Sequence, residues 1–246
     1  MSAPSVVLFD LDDTLFAHRE AVDAAAATTL RTLSADLDAD ATLAEVARWT
    51  ELEEQHYHRY LTGELDYLGQ RRARARDFVA PYGLDLSDDA TAESWFLDYL
   101  RGYRSAWVLH EDTLPAMDAI AAALPGVRFG MITNGDLDFQ LAKLDALLLT
   151  GRLEHVVASG EVGVTKPDAR IFELAVDLFD VPPADAVYIG DRLRTDAIGA
   201  AAAGLTGVWL NRRGVEPDPV DHAEAERLGV HVIRGLDELP ALLTRS

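Results

Sequence analysis

Hydrophobic positions follow two rhythms along this chain. The run VVLFD at 6–10 is short, unbroken and rich in β-branched residues, and it predicts a strand buried on both faces. From about residue 17 to 105 the rhythm changes to helical spacing. The segments AVDAAAATTLRTL, ATLAEVARWTELEEQHYHRYL, LDYLGQRRARARDFV and ATAESWFLDYLRGYRSAW predict four helices, broken by TGE and PYGLDLSDD. From about 108 onward strand-like and helical patterns alternate. The strand candidates there are Val127–Thr133, His155–Ser159, Ala186–Gly190, Leu205–Leu210 and Val230–Ile233.

Alternation of this kind predicts a parallel sheet with helices on both faces. One strand precedes the helical block and the rest follow it. The simplest assembly is an α/β protein with a Rossmann-like, doubly wound parallel sheet core, formed by residues 1–15 and 108–246. Residues 16–107 then form an inserted α-helical cap, with hinges at Phe16–His18 and Trp107–Glu111.

Ligands of such sheets bind past the carboxyl ends of the strands, and the chemistry-bearing residues gather there. Asp10, Asp12, Asp13 and Thr14 follow the first strand, and Thr133, Asn134 and Gly135 follow RFGMIT. Thr165, Lys166 and Pro167 follow HVVASGEVGV, while Asp191 and then Asp196 follow AVYIG. Clustered carboxylates with oxygen-only partners suit a hard divalent cation, most naturally Mg2+. A lysine ammonium and a threonine hydroxyl beside that cation suit the oxygens of a phosphoryl group. Taken singly, each piece has a plainer reading. Thr-Asn-Gly is a turn, Lys166-Pro167 is a helix start, and Asp191 and Asp196 favour the N-terminus of the next helix. Their order, each after a strand, is the stronger signal.

Composition narrows the classes. The 246 residues hold no cysteine, which excludes disulfides, a thiol nucleophile and cysteine-ligated metal. A formal charge of −20 disfavours nucleic acid and anionic membrane partners. The first apolar run lacks a basic flank, and no apolar stretch approaches 18 residues, so a cytoplasmic, soluble protein is expected. Only two lysines occur, Lys143 and Lys166, beside twenty arginines.

The four ordered segments DLDDT, ITNG, KPD and GDRLRTD resemble the four motifs of the haloacid dehalogenase superfamily of hydrolases. The helical block resembles the C1-type cap of its subfamily I. SGEVGVTKPDARIFELA and GDRLRTDAIGAAAAGLTGVWLNR are similar to its small-molecule phosphatases, the group that contains pyrimidine 5′-nucleotidases and N-acylneuraminate-9-phosphatase. The resemblance implies a Mg2+-dependent phosphomonoester hydrolase acting on a small phosphorylated metabolite, a nucleotide or sugar phosphate. It implies Asp10 as nucleophile and metal ligand, and Asp12 as general acid and base whose carbonyl also binds metal. Thr133, the Asn134 backbone N–H and Lys166 would hold the phosphoryl group. Asp191 would ligate the metal, with Asp196 orienting it from behind. Arg192 stands where the family more often has a small polar residue.

Other chemistries in that superfamily fit less well. Dehalogenases lack the second aspartate, present here as Asp12, and phosphonate hydrolysis needs a cap lysine, whereas residues 16–107 contain none. A sugar phosphomutase shares the aspartate pair and remains the alternative. Phospho-acceptor domains and catalytically silent phosphate-binding proteins are the non-enzyme alternatives. In the cap, Arg71, Arg72, Arg74 and Arg76 read as a solvated face pairing with acids such as Glu51, Glu53 and Glu54. His56 and His58 point to different sides of their helix, while Trp49, Trp95, Phe96 and Trp107 read as cap core and His110 as structural.

Overall fold

The computed structural model describes residues 3–244. Strand β1 (Val6–Phe9) is buried at every position, as its unbroken apolar run requires. The chain divides into two compact units at 17/18 and 107/108. At those crossings the outgoing and returning segments lie side by side, with the Ala17 N–H donating to the Val108 carbonyl at 3.0 Å.

The helical unit, His18–Trp107, holds α1 (His18–Leu33), α2 (Ala39–Leu61), α3 (Tyr67–Val79) and α4 (Asp89–Ser105). Aspartates 38, 66 and 88 cap the last three by accepting a first-turn backbone N–H. Trp49 is fully buried at the centre, against the rings of Tyr99 and Phe78 at 4.3 and 4.8 Å. Trp95 and Trp107 are only partly buried. His56 is buried on Asp77, while His58 is not buried. The arginines of α3 do not form one solvated face. Arg74 is buried, pairs with Glu53 and lies over Trp49 and Phe96. Burial works against the charge on Glu53, but Arg74 and His18 hold its carboxyl far below the usual range. Arg71 lies over the Tyr67 ring, Arg72 faces Asp66, Asp89 and Glu93, and Arg76 faces Asp89. Aromatic packing, not solvent, thus claims part of this basic run.

The core unit continues with α5 (Thr113–Ala123), β2 (Arg128–Thr133), α6 (Leu137–Ala146), β3 (His155–Ala158), α7 (Ser159–Val162) and α8 (Ala169–Leu178). It ends with β4 (Ala186–Gly190), α9 (Gly199–Ala202), β5 (Thr206–Leu210), α10 (Pro219–Leu228), β6 (His231–Ile233) and α11 (Leu239–Leu243). All strands are parallel, in the order β3-β2-β1-β4-β5-β6. The chain runs outward from β1 to one side and then, from β4, to the other. The strand order therefore reverses between β1 and β4, where such sheets bind ligands. Phe9 pairs with both Met131 and Ile189, so β1 ends two residues short of β2 and one short of β4, and the residues after it lie beside their carboxyl ends. On one face α8 buries Ile171, Phe172, Ala175 and Val176 against Val6, Leu8 and Tyr188. No helix among the described residues is long and apolar enough to cross a membrane.

Two local departures from the sequence reading matter. The segment before Lys166 is not strand to its end, because β3 stops at Ala158 and α7 follows, closed by Gly163 at φ +70°. Pro167 does not start a helix; α8 begins at Ala169, with the Asp168 carboxylate accepting from the Arg170 N–H.

Candidate active site

The ends of β1 and β4, the loop before α8 and the stretch after β4 each contribute side chains to a common cluster, Asp10, Asp191, Lys166 and Asp196. The Asp10 N–H extends the sheet by one bond, donating to the Ile189 carbonyl at 2.8 Å, which sets the Asp10 carboxyl over the β1/β4 boundary. Lys166 lies almost wholly buried beneath it. The ammonium donates to Asp10 Oδ1 at 2.6 Å, Asp196 Oδ1 at 2.7 Å and the Tyr188 hydroxyl at 2.8 Å, so all three of its protons are engaged. Tyr188 in turn donates to the Ile132 carbonyl at 2.9 Å. The loop carrying Lys166 is held by Asn134, whose side chain accepts from the Lys166 N–H at 2.8 Å and donates to its carbonyl at 3.0 Å. That side chain braces the loop, a role distinct from the backbone contact expected of Asn134.

Asp196 completes the floor. Its two oxygens are committed, Oδ1 to Lys166 and Oδ2 to the Arg192 N–H at 2.9 Å. It sits in a π-helical stretch, Leu193–Ile198, packed so tightly on β4 that a Cβ on Gly190 would lie 2.4 Å from the Asp196 carboxyl. Asp191, at the end of β4, is tied by its carbonyl to the Trp209 indole at 2.9 Å. The side chain of Arg192 is exposed.

Carboxylate oxygens of Asp10, Asp191 and Asp196 lie within 4.8 Å of one another. Burial raises the Asp10 pKa to about 7, partly offset by Lys166 and reinforced by Asp196 and Asp12. Burial, Asp196 and Asp10 likewise hold Asp191 well above the carboxylate range. Burial opposes the charge on Lys166, but Asp10 and Asp196 outweigh it and keep its pKa well above that of a free lysine. Three carboxylates and one ammonium leave excess negative charge in a dry place, and this is why protonation is favoured.

Asp12 stands apart from that cluster. Its carboxylate accepts from the Lys143 ammonium at 2.6 Å. Thr133 is buried and accepts at 2.9 Å from the amide of Gln140. Gly135 donates its N–H to the Ser159 hydroxyl at 3.0 Å. Thr14 is buried beneath the β1 loop, where its carbonyl accepts from Arg212 at 3.0 Å, and Asp13 turns the loop at φ 59°. Lys143, Gln140 and Tyr188 were not singled out from the sequence as site residues. The available signal was that the chain has only two lysines and that one lies a helix away from Thr-Asn-Gly.

Residues 4–204 match the haloacid dehalogenase-like hydrolase family. The chain belongs to that family. This hydrolase is 29% identical over 247 residues to a ribulose-1,5-bisphosphate 5-phosphatase from Halopiger xanaduensis, covering 98% of this chain and 99% of that one. It is 38% identical over 104 residues to a phosphoserine phosphatase of Thermus thermophilus and 37% identical over 121 residues to human N-acylneuraminate-9-phosphatase. Those alignments cover 42% and 48% of this chain, and it spans less than half the length of either relative, 41% and 46%. Among solved structures, the magnesium-bound HAD-hydrolase YfnB of Bacillus subtilis superposes with a TM-score of 0.77 at 21% identity, covering 99% of this chain and all of that one. Two dehalogenase structures superpose at a TM-score of 0.74 and about 20% identity, a likeness of fold.

Proposed function

We propose that this hydrolase is a Mg2+-dependent phosphatase that cleaves small phosphomonoesters through an aspartyl-phosphate on Asp10. The observation that carries the reading is the Lys166 ammonium, shared by Asp10 and Asp196 beside Asp191. The named relatives, all phosphatases of small phosphorylated compounds, support the substrate class.

The donor set fits a hard cation, since every candidate ligand is oxygen. Asp10 and Asp191 are the direct ligands in this reading, with Asp196 behind them holding the Lys166 ammonium and the Arg192 N–H. The backbone carbonyl of Asp12 is the remaining protein ligand in this reading. Bound there, Mg2+ supplies charge neutralisation for the carboxylates and for phosphoryl oxygens.

The residues then divide the work. An Asp10 carboxylate oxygen attacks phosphorus, and the bond from phosphorus to the leaving oxygen breaks. Asp12 gives that oxygen its proton, so an alcohol departs. Water next attacks phosphorus of the aspartyl-phosphate, loses a proton to Asp12, and regenerates the Asp10 carboxylate as inorganic phosphate leaves. Thr133 and the Asn134 N–H hold the non-bridging oxygens throughout, while the Lys166 ammonium, anchored on Asp196 and Tyr188, balances the charge on Asp10 and the transferring phosphoryl group. Helices α1–α4 serve as the cap that selects the metabolite.

A panel of phosphorylated metabolites, with p-nitrophenyl phosphate as a generic substrate, tests the reading with and without Mg2+. Phosphate release that needs Mg2+ and ranks sugar, sugar-acid or nucleotide monophosphates by kcat/KM is expected. No release from any phosphomonoester would sink it.

A further inference from the structure

Helix α6 leaves the Thr133-Asn134-Gly135 turn, capped by Asp136, whose carboxylate accepts the Phe139 N–H at 3.0 Å. Gln140 and Lys143 lie three residues apart on it, hence on one face. Both are almost wholly buried, at 3% and 2% exposure, where an apolar side chain would be the default. Such burial is costly without polar partners, and the partners are two groups of the proposed reaction. The Lys143 ammonium donates to Asp12 Oδ1 at 2.6 Å. The Gln140 amide nitrogen lies 2.9 Å from Thr133 Oγ1 and 3.5 Å from Asp12 Oδ2.

The direction of these bonds is informative. A carboxylate only accepts, so the amino end of the Gln140 amide faces Asp12 and Thr133. Thr133 therefore receives a hydrogen bond, and its own hydroxyl proton is left to donate elsewhere. Gln140 Oε1 is buried without a partner. A glutamine kept only for the fold would have both ends satisfied; this one forgoes a bond to keep its amino group in place. A Cβ on Gly135 would stand 2.9 Å from that nitrogen, so the glycine leaves room for it.

We propose that Gln140 and Lys143 are positioning residues. Gln140 aims the Thr133 hydroxyl at the phosphoryl oxygens, and Lys143 holds the Asp12 carboxylate where it serves the leaving group and the attacking water. The inference rests on the phosphatase reading above and adds two residues to it.

The test is a double-mutant cycle on purified full-length protein with Mg2+. Lys143→Met keeps the length of the side chain and suits the Phe16 and Phe139 rings, which lie 5.1 and 5.3 Å from the ammonium. It should lower kcat about tenfold or more in the wild-type background, with KM within about threefold, and less than about twofold in an Asp12→Asn background. The loss should be larger on an alkyl phosphomonoester than on p-nitrophenyl phosphate, whose leaving group needs little help from Asp12. Gln140→Met should lower both substrates by a similar factor and weaken inhibition by inorganic phosphate. Should Lys143→Met unfold, Lys143→Arg keeps the cation and is expected to retain most of the activity. Equal losses from Lys143→Met with and without Asp12, unaffected variants of both residues, or a well-folded Lys143→Arg as poor as Lys143→Met would overturn the proposal. An active wild type beside unaffected variants removes only this inference; an inactive wild type removes the phosphatase reading with it.

Discussion

While the other lysine, Lys143, donates to Asp12, Lys166 spends its three protons on Asp10, Asp196 and Tyr188. The charge that it leaves uncompensated has a thermodynamic sign. Asp10 and Asp191 have raised folded-state pKa values, Asp10 to about 7. Both therefore bind protons more tightly folded than unfolded. Their contribution to stability is complete below the unfolded carboxylate pKa of about 4; that of Asp10 is lost as pH rises through about 7, and that of Asp191 as pH rises through its own raised pKa. Asp191→Asn removes one of these charges. In EDTA its melting temperature should exceed that of the wild type, by a margin that widens from pH 5 to pH 8. It should also lose the stabilisation that Mg2+ gives the wild type. A variant that melts below the wild type at pH 8, or that gains as much from Mg2+, contradicts the ligand assignment of Asp191.

Among the elements, α6 bears the most on the site, because it supplies Gln140 and Lys143. Asp136→Ala removes its N-cap and should cost about 1 kcal/mol in urea unfolding. Activity should fall as well, since the first turn positions both side chains. A variant with lower stability and unchanged kcat would show that α6 is scaffold alone. At this scale the strands were legible because β1 and β4 are short, fully apolar runs ending in aspartate. The π-helical stretch at 193–198 was not, since Asp196 there reaches Lys166, 30 residues away in the chain. Nor was α7, a single turn whose sequence SGEV continues the apolar spacing of β3. Pairings between elements, such as Lys143 with Asp12, are 131 residues apart and leave no mark on local pattern. The burial of Arg74 was hidden for the same reason, because its partners lie on neighbouring helices.

For the molecule as a whole, the β1/β4 boundary and the Lys166 loop bring three separate sequence segments into one acidic, lysine-floored cluster. Everything in the functional account depends on Asp10 acting as the nucleophile there. The direct measurement is peptide mapping by mass spectrometry of enzyme quenched in acid during turnover of a good phosphomonoester with Mg2+. The account predicts a phosphoryl group on Asp10, absent when Mg2+ is withheld and absent in a folded, inactive Asp10→Asn variant. Phosphate release that continues in Asp10→Asn, or a phosphoryl group carried on any other residue, would contradict it.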